Sequence, residues 1–82
     1  MVEKGNVLSV TNGDGFKTYL VDSRLENIGK GAGGWLCVDM DAIDEKGIDN
    51  IDAFDCWRVT DRYLEFLISK GLIKIVEENY AN

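Results

Sequence analysis

Histidine and proline are absent from the 82 residues, and cysteine occurs only twice. Without histidine the chain lacks the commonest general base and the commonest metal ligand. Without proline it has no cis-proline turn and no proline-rich linker. Two cysteines, Cys37 and Cys56, are too few for the disulfide framework of a small secreted scaffold. They read as reduced, partly buried thiols of a cytosolic protein. Uninterrupted apolar runs extend over a few residues at most, so no membrane span is expected. No apolar stretch follows the N-terminal Met1-Val2-Glu3-Lys4, so no secretory leader is expected either. No acid–base constellation meets the requirements of a reaction, and no cofactor or metal is expected.

What the chain does contain is enough for a core. Apolar residues make up 45%, and two Trp, three Tyr and three Phe are among them. This exceeds what a disordered chain of similar charge would carry. The length suits one domain spanning residues 1–82, with a thin stability margin because a short chain buries a small share of its surface.

The organisation reads as strands first, then an acidic insertion, then a helix and a last strand. Residues 6–11 alternate, with Leu8 and Val10 on one face and Ser9 and Thr11 on the other. Asn12-Gly13-Asp14-Gly15 is hairpin-turn chemistry, since it supplies the positive φ that tight turns need. Residues 16–22 return as a second strand. Residues 23–34 hold four glycines in their last six positions and read as a flexible connection, with one helical turn through Leu25 and Ile28. Residues 35–40 form a nearly all-apolar third strand, suited to the centre of a sheet. Residues 56–59 form a short fourth.

A helix is expected over residues 61–70. Thr60 is its N-cap, Asp61 suits the positive end of the dipole, and Val59 with Leu64 occupies the hydrophobic-staple positions. Asp61, Arg62, Glu65 and Ser69 make a polar face. Tyr63, Leu64, Phe66, Leu67 and Ile68 fill the rest, which implies deep packing on a sheet. Gly71 is the left-handed residue after the helix, with Leu72 reaching back to Leu67. Residues 72–77 are the last strand, and residues 78–82 a frayed tail. The fold class is α+β: a mainly antiparallel sheet of four to five strands with one principal C-terminal helix packed on it. An SH3-like small β-barrel is the alternative.

Four motifs fail on inspection. Gly29-Lys30-Gly31-Ala32-Gly33-Gly34 lacks the Ser or Thr and the following helix of a P-loop. Asp39-Met40-Asp41-Ala42-Ile43-Asp44-Glu45 resembles a calcium loop, but its fifth position is Ile43, its sixth Asp44 and its twelfth Asn50. Paired carboxylates for glycoside chemistry would need a cleft, and neither cysteine has a histidine partner to activate it. The chain is therefore expected not to be an enzyme. Nucleic-acid binding needs a basic stripe, whereas the bases here are dispersed and the net charge is −6.

That charge is concentrated. Residues 39–55 hold seven acids, Asp39, Asp41, Asp44, Glu45, Asp49, Asp52 and Asp55, against one base, Lys46, and elsewhere acids and bases balance. Charge runs ordinarily mean a solvated, solubilising loop. Ile48, Ile51 and Phe54 lie among these acids, however, and Trp57 follows. A helical turn through the first three is one way to order them. An apolar anchor ringed by carboxylates is the design of an interface for a basic partner. The expected function is thus a small acidic cytoplasmic interaction module, an inhibitor or adaptor of phage or mobile-element type. It would dock on a basic protein through Asp41, Asp44, Glu45, Asp49, Asp52, Asp55 and Trp57. A nucleic-acid-binding protein fits as the partner, because carboxylates in an array imitate DNA phosphates. The alternative is a small barrel binding nucleic acid or a ligand through Lys17, Arg24, Lys30 and nearby aromatics. Whether Ile48, Ile51 and Phe54 face the core or the solvent separates a lid from an interface.

Overall fold

The structure, a computed structural model, describes residues 2–29 and 32–80. The chain forms β1 (Val7–Asn12), β2 (Gly15–Leu25), β3 (Gly34–Asp39) and α1 (Met40–Lys46). Two 3-10 turns, Ile48–Asn50 and Ala53–Asp55, lead into β4 (Cys56–Thr60), α2 (Asp61–Ser69) and β5 (Ile73–Glu77). The strands make one antiparallel sheet in the order β4-β3-β2-β1-β5. This is the expected α+β fold. The sheet does not close, because β4 and β5 lie at opposite edges, and the barrel alternative is excluded.

The β1–β2 hairpin turns where the sequence places it. Asn12 pairs with Gly15, and Gly13 takes φ 62° in the two-residue connection. The returning strand β2 is longer than the expected 16–22. Its first part pairs with β1, and its second pairs with β3 through a register shift between Val21 and Ser23. Arg24 and Leu25 therefore belong to the sheet, opposite Trp35 and Gly34, and not to a flexible connection. The expected helical turn through Leu25 and Ile28 is not formed: Leu25 ends β2, and Ile28 N–H donates to Ala32 O at 2.9 Å. Lys30 and Gly31 lie outside the described residues. Gly34 has a packing reason to be glycine. A Cβ there would collide with the Val59 carbonyl oxygen and lie 2.6 Å from Ile28 Cδ1.

Thr60 caps α2, its hydroxyl accepting from Tyr63 N–H at 3.2 Å. The helix ends in a Schellman motif, in which Leu72 N–H donates to Leu67 O and Gly71 N–H to Ile68 O, both at 3.0 Å, with Gly71 at φ 75°. The helix carries the chain from one edge of the sheet to the other. Leu64 buries itself among Val2, Leu8, Val21, Cys37, Val59 and Ile73, while Leu67 and Ile68 pack alongside. The expected deep packing stops there. Tyr63 and Phe66 stack on each other with centroids 6.2 Å apart, and each stays about half exposed.

Side chains alternate across a strand, so the register assigns the second face. Leu20 lies opposite Val7 on one side and Val38 on the other, and all three are buried on the face away from α2. The short helix α1 packs on β2 and β3 and buries Ala42. The chain past β5 is not frayed as far as Tyr80. Its amide donates to Gly5 O at 2.9 Å, and the Asn6 side chain donates to Glu78 O at 3.1 Å. Asn6 is buried, and its Oδ1 accepts from Glu3 N–H at 2.7 Å, which satisfies both ends of the amide.

Candidate functional site

The acidic segment is more ordered than its lack of period suggests. Asp39 ends β3 and turns the chain into α1, its carboxylate accepting from Asp41 N–H at 2.9 Å. It also pairs with Lys17 at 2.9 Å, which holds the lysine's pKa above its ordinary value. Gly47, at φ 86°, ends the helix, and its amide donates to Ile43 O. Asp52 and Asp55 then cap the second 3-10 turn reciprocally: Asp52 accepts from Phe54 N–H at 2.9 Å, and Asp55 accepts from Asp52 N–H at 3.1 Å.

Lys46 ties the two halves of the segment together. Its ammonium lies 2.8 Å from Asp55 and 3.5 Å from Asp52. The contact raises the Lys46 pKa, and Lys46, with the Asp52 amide behind it, lowers that of Asp55. Asp52 and Asp55 are thus structural acids as well as surface ones, and Asp55 is the better covered of the two.

Asp41, Asp44, Glu45 and Asp49 are different. All four are exposed, and none takes part in an ion pair among the described residues. Two of the apolar residues between the acids are exposed. Phe54 is 99% exposed and Ile48 49%, while Ile51 is intermediate. Ile48 joins Ile43 of α1, Leu20 of β2 and Tyr80 along the wall of a cleft of about 600 Å³, with Asp22 and Lys4 also on its lining.

Trp57 is not part of this surface. It pairs with Cys37 in register and so shares the face covered by α2. It packs on the core there, its ring 5.4 Å from that of Tyr19. The sequence places Trp57 beside the acids by chain proximity, and strand alternation moves it to the far side of the sheet. The same alternation separates the cysteines. Cys37 faces α2, and Cys56, opposite Val38, faces the other way. Both are free thiols. Burial pushes Cys37 up to about 12 and, with nearby acids, raises Cys56 as well.

Two of the three bases of the alternative reading, Lys17 and Arg24, are engaged with carboxylates. Lys17 holds Asp39. Arg24 forks onto Asp61 with bonds of 2.6 and 2.7 Å and lies 5.0 Å over the Trp35 ring. That fork lowers the Asp61 pKa. Lys30 lies outside the described residues. Among the described residues no three Cys, Asp or Glu side chains converge as metal ligands would, and no helix is long and apolar enough to cross a membrane. No protein-family model, no curated protein and no solved structure matches the chain.

Proposed function

We propose that the chain is a small non-enzymatic interaction module of the cytoplasm, an inhibitor or adaptor that docks on a basic protein. The docking surface is α1 and the turns that follow it. Asp41, Asp44, Glu45 and Asp49 supply the charge, and Ile48 and Phe54 the apolar contact. The observation that carries this reading is Phe54, fully exposed within the most acidic stretch of the chain. Burying a phenylalanine side chain releases about 1.5–3 kcal/mol, and folding leaves that amount unused here. A partner surface that covers the ring can collect it. The exposed carboxylates speed encounter with a basic site and penalise an acidic one. A nucleic-acid-binding protein fits the description, since its site already accommodates closely spaced negative charges.

Affinity capture from host lysate tests the proposal, using the wild-type chain beside a variant with Asp41→Asn, Asp44→Asn, Glu45→Gln and Asp49→Asn. Asp52 and Asp55 are kept, because they hold the 3-10 turn and Lys46. The expected result is a basic protein retained by the wild type and lost by the variant, with circular dichroism unchanged. Equal capture by both chains would rule the surface out.

A further inference from the structure

The cleft beside α1 is lined by residues brought together from distant parts of the chain. Leu20 forms part of it from the sheet, Ile43 and Ile48 from the acidic segment, and Tyr80 from beyond β5. At about 600 Å³ it exceeds the volume of any one side chain and lies within the range of ligand-sized clefts. Its lining is mainly apolar. Lys4 and Asp22 are the charged residues on its lining. Asp44 and Asp49 are exposed chain neighbours of Ile43 and Ile48, on the helix and turn that supply these two lining residues. Apolar lining close to acids that enter no ion pair among the described residues is the complement of a basic amphipathic segment.

We infer that this cleft receives the apolar anchors of a basic amphipathic segment of the partner, whose lysines or arginines reach Asp44 and Asp49. The inference rests on the docking reading above and adds a place and a pattern to it. A helical segment laying residues i and i+4 into a groove is an established mode of peptide recognition, and its apolar anchors supply most of the affinity.

The test uses synthetic peptides and amide chemical-shift titration of the full chain. One peptide is lysine-rich with leucines at i and i+4. A second has both leucines replaced by serine, and a third keeps the leucines but has glutamine for lysine. The first peptide is expected to shift the amides of Leu20, Ile43, Ile48 and Tyr80. Removing its leucines should weaken binding about tenfold or more, as loss of buried anchor area implies. Ile48→Ser, at a half-exposed position that tolerates a polar residue, should weaken the first peptide and spare the second. Asp44→Asn with Asp49→Asn should weaken both lysine-rich peptides. If the first two peptides bind equally and Ile48→Ser changes nothing, the cleft assignment falls while docking through the acids stands. If the third peptide binds as well as the first and the Asp variants are silent, the acidic docking reading fails, and with it the basic character of the occupant. Absence of shifts around the cleft with the first peptide would overturn the assignment outright.

Discussion

Replacing Phe54 by alanine asks directly whether the acidic segment folds its apolar residues inward. A core phenylalanine cut to alanine costs about 3–5 kcal/mol. Phe54 is 99% exposed, so the expected cost is within about 0.5 kcal/mol, the range of surface substitutions. Its backbone amide still donates to Asp52 in the variant, so the 3-10 turn keeps its cap. At about 2.1 cal/mol/K per residue, unfolding this chain carries an entropy of about 170 cal/mol/K, so each kcal/mol moves Tm by about 6 °C. Phe54→Ala should therefore shift Tm by about 3 °C or less. Leu64, 2% exposed at the centre of the core, is the internal standard. Leu64→Ala should cost about 2–5 kcal/mol, which is about 12–30 °C. Thermal melts followed by circular dichroism measure both. A fall of about 10 °C or more for Phe54→Ala would show that the ring is packed, and the outward-facing surface would have to be abandoned.

Other consequences are open to the same kind of measurement. Gly34→Ala should destabilise by about 1–3 kcal/mol, because the added Cβ meets the Val59 carbonyl and Thr60 Cα, backbone of the neighbouring strand, so a Tm change under about 3 °C would contradict the close β3–β4 approach. The pKa values of Asp55 and Asp61 are lowered in the folded state, so their contribution is present above the unfolded carboxylate value near about 4 and fades as pH falls through the folded value. Those of Lys17 and Lys46 are raised, so their contribution is complete below the unfolded lysine value near about 10.4 and fades above it. Stability should thus plateau between these limits, and Asp61→Asn should flatten the acid limb, whereas an unchanged acid limb would show that the Arg24 fork adds nothing. Cys37 is fully buried with its pKa pushed up to about 12, so an aromatic disulfide reagent at neutral pH should reach it only on unfolding, and rapid labelling of both thiols in the native protein would refute its position.

Local chemistry made much of the fold legible. Asn12 to Gly15 specifies a two-residue hairpin, Thr60 and Gly71 mark the ends of α2, and the apolar run through Cys37 and Val38 sits between β2 and β4 as a central strand does. Long-range pairing was not legible. Arg24 reads as part of a loop because glycines follow it, yet it is held in the sheet opposite Trp35 and by its fork onto Asp61, remote in sequence. Helix α1 escaped for the opposite reason. Its signals, Asp39 as cap and Gly47 at the end, are present, but seven residues give too few turns for an apolar period to stand out. The acids of the surface were legible by count, although counting could not separate Asp52 and Asp55, which clamp Lys46, from the four that enter no ion pair among the described residues. Trp57 was misplaced because nearness in sequence says nothing about the face a strand residue takes. The cleft could not be read at all, since it joins Lys4, Leu20, Ile48 and Tyr80 from opposite ends of the chain.

The most direct test of the docking surface is the salt dependence of affinity for the captured basic partner. The wild-type chain should lose affinity steeply as sodium chloride rises through the physiological range, because exposed charges are screened over about 8 Å there. The variant neutral at Asp41, Asp44, Glu45 and Asp49 should bind weakly and with little slope. Phe54→Ala should weaken binding while keeping the wild-type slope. Identical slopes and affinities for the wild type and the four-site variant would contradict the assignment of these carboxylates to the partner.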